Sequence, residues 1–245
     1  MIKATNLSEL HLFAGGGEER EVRLCLSRGN DPNLPDVDGW TPLHWACFRH
    51  QPKMVALLLE HGSLVSCKTF SGDTPLHAAA TEGSVECLKL VLDAAASQDA
   101  DYLLESQNNV GYTPLMWTAS KGLLPAANFL LTRGCNVAAV NQEGDTALHV
   151  AASNWQVAMV ALLLEQGSNV DAKNKSGDTA LHCSAIEGHV PVSLLLLKRG
   201  AGDEVPNIAG QTPIDLARFW GQDTTAMAKF KTQRTARLRK GPSGV

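Results

Sequence analysis

Residues 41–62 read TPLHWACFRHQPKMVALLLEHG. Thr41 has a hydroxyl that can accept an orphan backbone N–H, so it suits a helix N-cap. Pro42 follows at the first helical position, where its fixed φ helps and its missing N–H costs nothing. Pro52 stands shortly before the block Leu57-Leu58-Leu59 and marks the start of a second helix. Gly39, two residues before Thr41, suits a tight turn with a left-handed residue. The stretch reads as a turn followed by two short helices. One such hairpin cannot bury its apolar face alone and must stack on neighbours.

The neighbours are present. TPLHWA (41–46), TPLHAA (74–79), TPLMWT (113–118), TALHVA (146–151), TALHCS (179–184) and TPIDLA (212–217) share one register, spaced by 33, 39, 33, 33 and 33 residues. A glycine precedes each threonine by two, from Gly39 to Gly210. Stepping back by one period from Thr41 reaches Ser8, where SELHLFA keeps the pattern. Seven units therefore cover most of the chain. The period and the T-P-L-H-x-A hexamer resemble the ankyrin-repeat family. That resemblance implies an all-α solenoid of stacked helix-turn-helix units with β-turn tips. It places an ankyrin-repeat domain at residues 1–230 and leaves 231–245 as a basic tail, expected to be disordered.

Two departures stand out. The third unit is longer, with its surplus at residues 93–104 (DAAASQDADYLL), which predicts a prolonged second helix and then a loop, either a tolerated insertion or a partner-contact protrusion. The first unit carries Glu18, Glu19, Arg20, Glu21 and Arg23 on its second helix, and the last has Asp215 where others have His, as terminal repeats with wettable faces require.

Composition narrows the class. With 44% hydrophobic and 19% charged residues the chain can build a core. A net charge of −4 argues against a generic nucleic-acid protein. No apolar run has transmembrane length, residues 1–12 lack the pattern of a signal peptide, and six cysteines without a C-x-x-C pair read as reduced thiols. The expectation is a monomeric protein of the cytoplasm or nucleus.

Catalytic, cofactor and metal sites are not expected. His11, His44, His77, His149 and His182 share one slot, but packed helices lie about 8–10 Å apart and Zn–N bonds are about 2.0–2.1 Å, so the row cannot converge on one ion. The resemblance implies structural histidines that tie neighbouring turns. Gly15-Gly16-Gly17 lacks the Lys-Ser/Thr of a phosphate-binding loop, and no nucleophile–base motif occurs. No enzymatic activity is expected.

The resemblance further implies partner binding on the concave face, at the turn tips and the exposed ends of the first helices. The residues in those slots are Trp40, Phe48, Arg49, Phe70, Asp73, Tyr112, Lys121, Glu143, Asp145, Trp155, Asp178, Glu187, Phe219 and Trp220. Seven of them are aromatic, the type that dominates binding hot spots. Trp155 replaces the glycine that normally separates the two helices. Acids outnumber bases in these slots, which suits a basic partner segment; the competing reading is that Asp73, Asp145 and Asp178 only favour a helix N-terminus. After Asp223 the chain has bases and no acid: a solvated end, an import signal, or an arm for nucleic acid or anionic lipid. The expected function is a protein-interaction adaptor. The alternatives are a proteasome-assembly chaperone like gankyrin (similar in LHWAC, 43–47, but without the long third repeat and basic tail), a nucleic-acid- or membrane-associated regulator, and an enzyme-inhibitory ankyrin protein.

Overall fold

The computed structural model describes residues 8–97 and 101–239. Every regular element among them is helical. The first helices of the seven repeats are α1 (Glu9–Gly16), α3 (Pro42–Phe48), α5 (Pro75–Glu82), α7 (Pro114–Lys121), α9 (Ala147–Ser153), α11 (Ala180–Ile186) and α13 (Pro213–Phe219). The second helices, numbered with them in chain order, are α2 (Glu19–Ser27), α4 (Pro52–Glu60), α6 (Val85–Ser97), α8 (Leu124–Thr132), α10 (Val157–Glu165), α12 (Val190–Lys198) and α14 (Thr225–Arg239). The sequence reads as one array; the structure groups it into two compact units, residues 1–118 with 123–142 and residues 119–122 with 143–245.

Why each first helix starts where it does is visible at Thr41. The Thr41 backbone N–H donates to His44 Nδ1 at 3.1 Å, and the Thr41 hydroxyl lies 2.8 Å from the same nitrogen. A ring nitrogen that accepts a backbone N–H has no proton of its own, so the proton sits on Nε2. His44 Nε2 then donates to the carbonyl of Asp73 in the next repeat, at 3.1 Å. The same clasp recurs in the first unit from His11 to the Trp40 carbonyl and from His77 to the Tyr112 carbonyl. In the second unit it joins His149 to the Asp178 carbonyl and His182 to the Gln211 carbonyl. The slot holds a buried Met116 in α7.

The last repeat shows the logic by exception. Asp215 accepts both the Thr212 backbone N–H, at 3.1 Å, and the Thr212 hydroxyl, at 2.6 Å. A carboxylate reproduces the accepting half of the imidazole and has nothing to donate forward. These hydrogen bonds hold the Asp215 carboxyl below its ordinary range.

Packing follows the same register. The second residue of each first helix is apolar and buried: Leu10, Leu43, Leu76 and Leu115 in the first unit, Leu148, Leu181 and Ile214 in the second. Three residues on, Ala46, Ala79, Ala151 and Ser184 are fully buried and small enough for neighbouring helices to approach closely.

The long third repeat extends α6 to 13 residues, against 9 in α4. A 3₁₀ turn at Asp101–Glu105 follows in place of an open loop and buries Leu103 completely while leaving Tyr102 exposed. Residues 98–100 of the insertion lie outside the described residues. The tail also differs from expectation. Helix α14 runs through Arg239, where disorder was expected after residue 230; near its start Met227 is buried and Lys231 pairs with Glu204 at 2.8 Å. Lys240 lies outside the described residues.

Burial pushes the imidazoles below their ordinary range, opposed by their carbonyl partners; His44 falls to about 4, and His11, His77, His149 and His182 are lowered. Above pH 6.5 neither folded nor unfolded chains carry these protons. Below it the unfolded chain takes up protons that the folded one refuses, so stability is lost on acidification until the folded groups titrate. Denaturant midpoints should hold steady above about pH 7 and fall between about pH 6.5 and 4, with His44 alone contributing on the order of 3 kcal/mol. His44→Gln should be less stable at neutral pH and show a shallower acid slope.

Candidate partner interface

The turn tips are built by polar ladders. In the first unit, Asn108 Oδ1 accepts the backbone N–H groups of Val110 and Tyr112, closing its own turn, and Asn108 Nδ2 donates to Asp73 Oδ1 of the preceding repeat at 2.8 Å. In the second unit, Asn174 donates to Asp145 and Asn207 to Asp178 in the same way. Backbones join as well: the Asn109 N–H donates to the Ser71 carbonyl, and the Lys175 N–H to the Glu143 carbonyl. This proximity explains the turn glycines. A Cβ on Gly72, which has φ +82°, would lie 2.8 Å from the Asn109 backbone nitrogen. Asp73, Asp145 and Asp178 are therefore structural acceptors within the ladders.

In the first unit the expected interface residues sort into two groups. Phe70 stands 72% exposed at a tip. Trp40, Phe48 and Tyr112 are half-buried instead. Trp40 packs its ring 5.3 Å from both Trp45 and Phe48, and Tyr112 packs edge-on to Trp117. Arg49 lies over the Trp45 and Phe48 rings at 5.8 and 5.9 Å. Trp45 lines the surface with Arg49, alongside His11, Leu12, Gly15 and Gly16 of α1. Sequence reasoning did not count Leu12, Gly15, Gly16 or Trp45 among the interface residues. The signal that could have found them is that Gly15 and Gly16 fill the slots where the second repeat has Phe48 and Arg49.

In the second unit Lys121, Glu143 and Glu187 are exposed, and Trp155, Phe219 and Trp220 are 61%, 73% and 59% exposed. Phe219 and Trp220 form an edge-on pair. Ile208 projects from the last tip. The second ladder of this unit runs backward: Gln156 Nε2 donates to the Ser120 carbonyl, and Gln222 Nε2 to the Ile186 carbonyl.

An ordered stack of turn-capped helix pairs at this register matches a known family. The profile described as "Ankyrin repeats (3 copies)" covers residues 10–102, 64–141, 94–174, 115–209 and 159–227. The chain belongs to the ankyrin-repeat family. The crystal structure of the Bcl-3 ankyrin repeat domain is similar to it over 93% of this chain and 99% of that one, with 29% identity and a TM-score of 0.76. The human ASB11 ankyrin repeat domain is similar over 97% and 100%, with 28% identity and a TM-score of 0.78. In sequence, the mouse B-cell lymphoma 3 protein homolog is 36% identical over 132 residues, 52% of this chain and 28% of that protein. The chain spans less than a third of the length of the curated relatives it matches. Ankyrin-repeat domains typically mediate protein–protein interaction, and both solved neighbours are ankyrin repeat domains. No helix among the described residues is long and apolar enough to cross a membrane.

Among the described residues of this ankyrin array, two non-glycine positions are left-handed, His50 at φ +54° and Trp155. The φ of Trp155 is +61°, a left-handed backbone that glycine adopts freely and an aromatic residue does not. The ring lies 3.5 Å from that of His189, whose Nε2 donates to the Ser153 carbonyl. His189 is fully buried, and burial lowers its pKa. Glycine at 155 relieves the backbone and loses this tilted ring contact; alanine loses the contact and keeps the strain. Trp155→Ala should therefore be less stable than Trp155→Gly by about 1 kcal/mol, measured by chemical denaturation of the two variants side by side.

Proposed function

We propose that this chain is a non-catalytic adaptor that holds a partner protein against its turn tips and the exposed ends of its first helices. The observation that carries this reading is the placement of large apolar side chains. Phe70, Trp155, Ile208, Phe219 and Trp220 all stand at tips or first-helix ends and are more than half exposed. Isolated exposed apolar residues are ordinary. Concentration of aromatic ones in the slots that ankyrin arrays use for recognition is not, because such residues dominate interface hot spots.

The thiols fit a binding role rather than catalysis. All six cysteines are free, and burial pushes Cys135 and Cys183 up to about 12, so neither is a thiolate nucleophile at neutral pH. Free thiols also accord with a cytoplasmic or nuclear site of action.

The test is photocrosslinking from a benzoylphenylalanine placed at Phe70 or Phe219, against the same probe at Glu60 or Glu165 on second helices. A partner crosslinked from the first pair should lose about 2 kcal/mol of affinity for Phe70→Ala or Phe219→Ala, while the stability of the free protein moves by no more than about 0.5 kcal/mol. Crosslinks confined to Glu60 and Glu165 would overturn the assignment.

A further inference from the structure

The first unit carries a groove of about 310 Å³ between α1 and α3, lined by His11, Leu12, Gly15, Gly16, Trp45 and Arg49. Its floor is open because Gly15 and Gly16 supply no side chains. Paired glycines weaken a helix, so their presence there has a cost that local structure does not return. Leu12 stands 56% exposed beside them.

The polar atoms around this groove are nearly all committed. His11 meets the Ser8 hydroxyl with Nδ1 and the Trp40 carbonyl with Nε2. Trp45 Nε1 donates to Asp36 Oδ2 at 2.9 Å. Asp36 Oδ1 accepts the backbone N–H groups of Asp38 and Trp40, so this carboxylate is engaged on both oxygens. Arg49 is the exception. Its guanidinium lies over two aromatic rings, and among the described residues no salt bridge to a carboxylate involves it. A guanidinium near aromatic rings without a carboxylate partner keeps N–H groups that can pair with a bidentate acceptor.

We propose that this groove receives a partner segment in which an acidic side chain pairs with Arg49 and an adjacent aliphatic side chain packs on Leu12, Gly15 and Trp45. The inference rests on the adaptor reading above and gives the partner its chemistry. That chemistry is opposite in sign to the basic segment suggested by the acid count of the turn slots, three of whose acids are held in the ladders. The groove is at the small end of the range for ligand pockets, which suits one or two side chains. Glu18 packs beside Gly16 and opposes a run of negative charge, so an isolated carboxylate fits better than a polyphosphate backbone.

Gly15 provides a variant that separates binding from folding. A Cβ there would meet Arg49 Cγ at 3.5 Å and Trp45 Cβ at 3.8 Å, ordinary contacts that clash with nothing. Gly15→Ala should therefore fold, melt no lower than the wild type, and still fill the floor of the groove. The experiment pans a phage-displayed random dodecapeptide library on the full chain, then measures synthetic winners by fluorescence anisotropy. Enriched peptides should pair Asp or Glu with a nearby aliphatic residue. Their affinity should fall about tenfold or more in Arg49→Gln, in Gly15→Ala, and when the peptide acid is changed to its amide. A basic or acid-free consensus, or peptides indifferent to both substitutions, would overturn the proposal. Peptides that ignore both but lose binding with Phe70→Ala or Phe219→Ala would sink the groove and leave the adaptor reading standing. Failure to enrich any peptide, or indifference to all four substitutions, would remove both.

Discussion

In five of the seven repeats one imidazole does two jobs at once, and the stacking of those repeats depends on its doing both. Nδ1 caps the helix that carries it, and Nε2 fastens that helix to the turn of the next repeat. Each job requires the other's protonation state: a ring that accepts a backbone N–H on one side must present its proton on the other. The tautomer is thus set by local structure and spent on tertiary structure. A capping interaction of this kind contributes about 1 kcal/mol, and a hydrogen bond to the neighbouring turn a similar amount. The geometry also explains why the row of histidines is not a metal site. Every ring has already committed both nitrogens to the backbone and to a hydroxyl.

The turn ladders impose a second constraint, on charge. Asp73, Asp145 and Asp178 look in the sequence like the rim of an acidic groove. In the folded chain each accepts an amide hydrogen from an Asn one repeat later, and the same Asn closes its own turn. Such acids define the spacing of tips more than they define an electrostatic field. Side chains above this scaffold are left free to vary, and there the exposed aromatics and Arg49 are found.

The repeat was legible from spacing because it is a physical necessity. A hairpin that cannot bury its own face must have neighbours in register, and Thr, His and Gly recur where capping, clasping and close backbone approach demand them. The prolonged α6 was legible from its alanines, but the 3₁₀ turn was not, since Leu103 is buried by tertiary contact that no local pattern announces. The helical tail was missed because its basic composition suggested solvation, and the burial of Met227 at the start of α14 is a tertiary contact that composition does not carry. Among interface candidates, exposure was legible at Phe70, Trp155, Phe219 and Trp220. It was not at Trp40 and Phe48, whose rings turn onto one another, nor at Tyr112, whose ring turns onto Trp117. Ring packing depends on side-chain direction, which slot counting does not carry.

The histidine clasp also gives the chain a polarity. Each ring reaches toward the C-terminus, while the Gln156, His189 and Gln222 side chains reach toward the N-terminus. A cut between repeats therefore leaves different injuries on its two sides. The upstream piece keeps an imidazole N–H with no carbonyl to receive it; the downstream piece keeps an amide or ring donor aimed at nothing. Asp215 is the residue that makes an upstream end harmless, since it closes the cap and extends no donor. Splicing repeats from this chain into another array would respect that grammar only if the terminal imidazole were exchanged for a carboxylate, and growing the array past its seventh repeat would call for the reverse exchange.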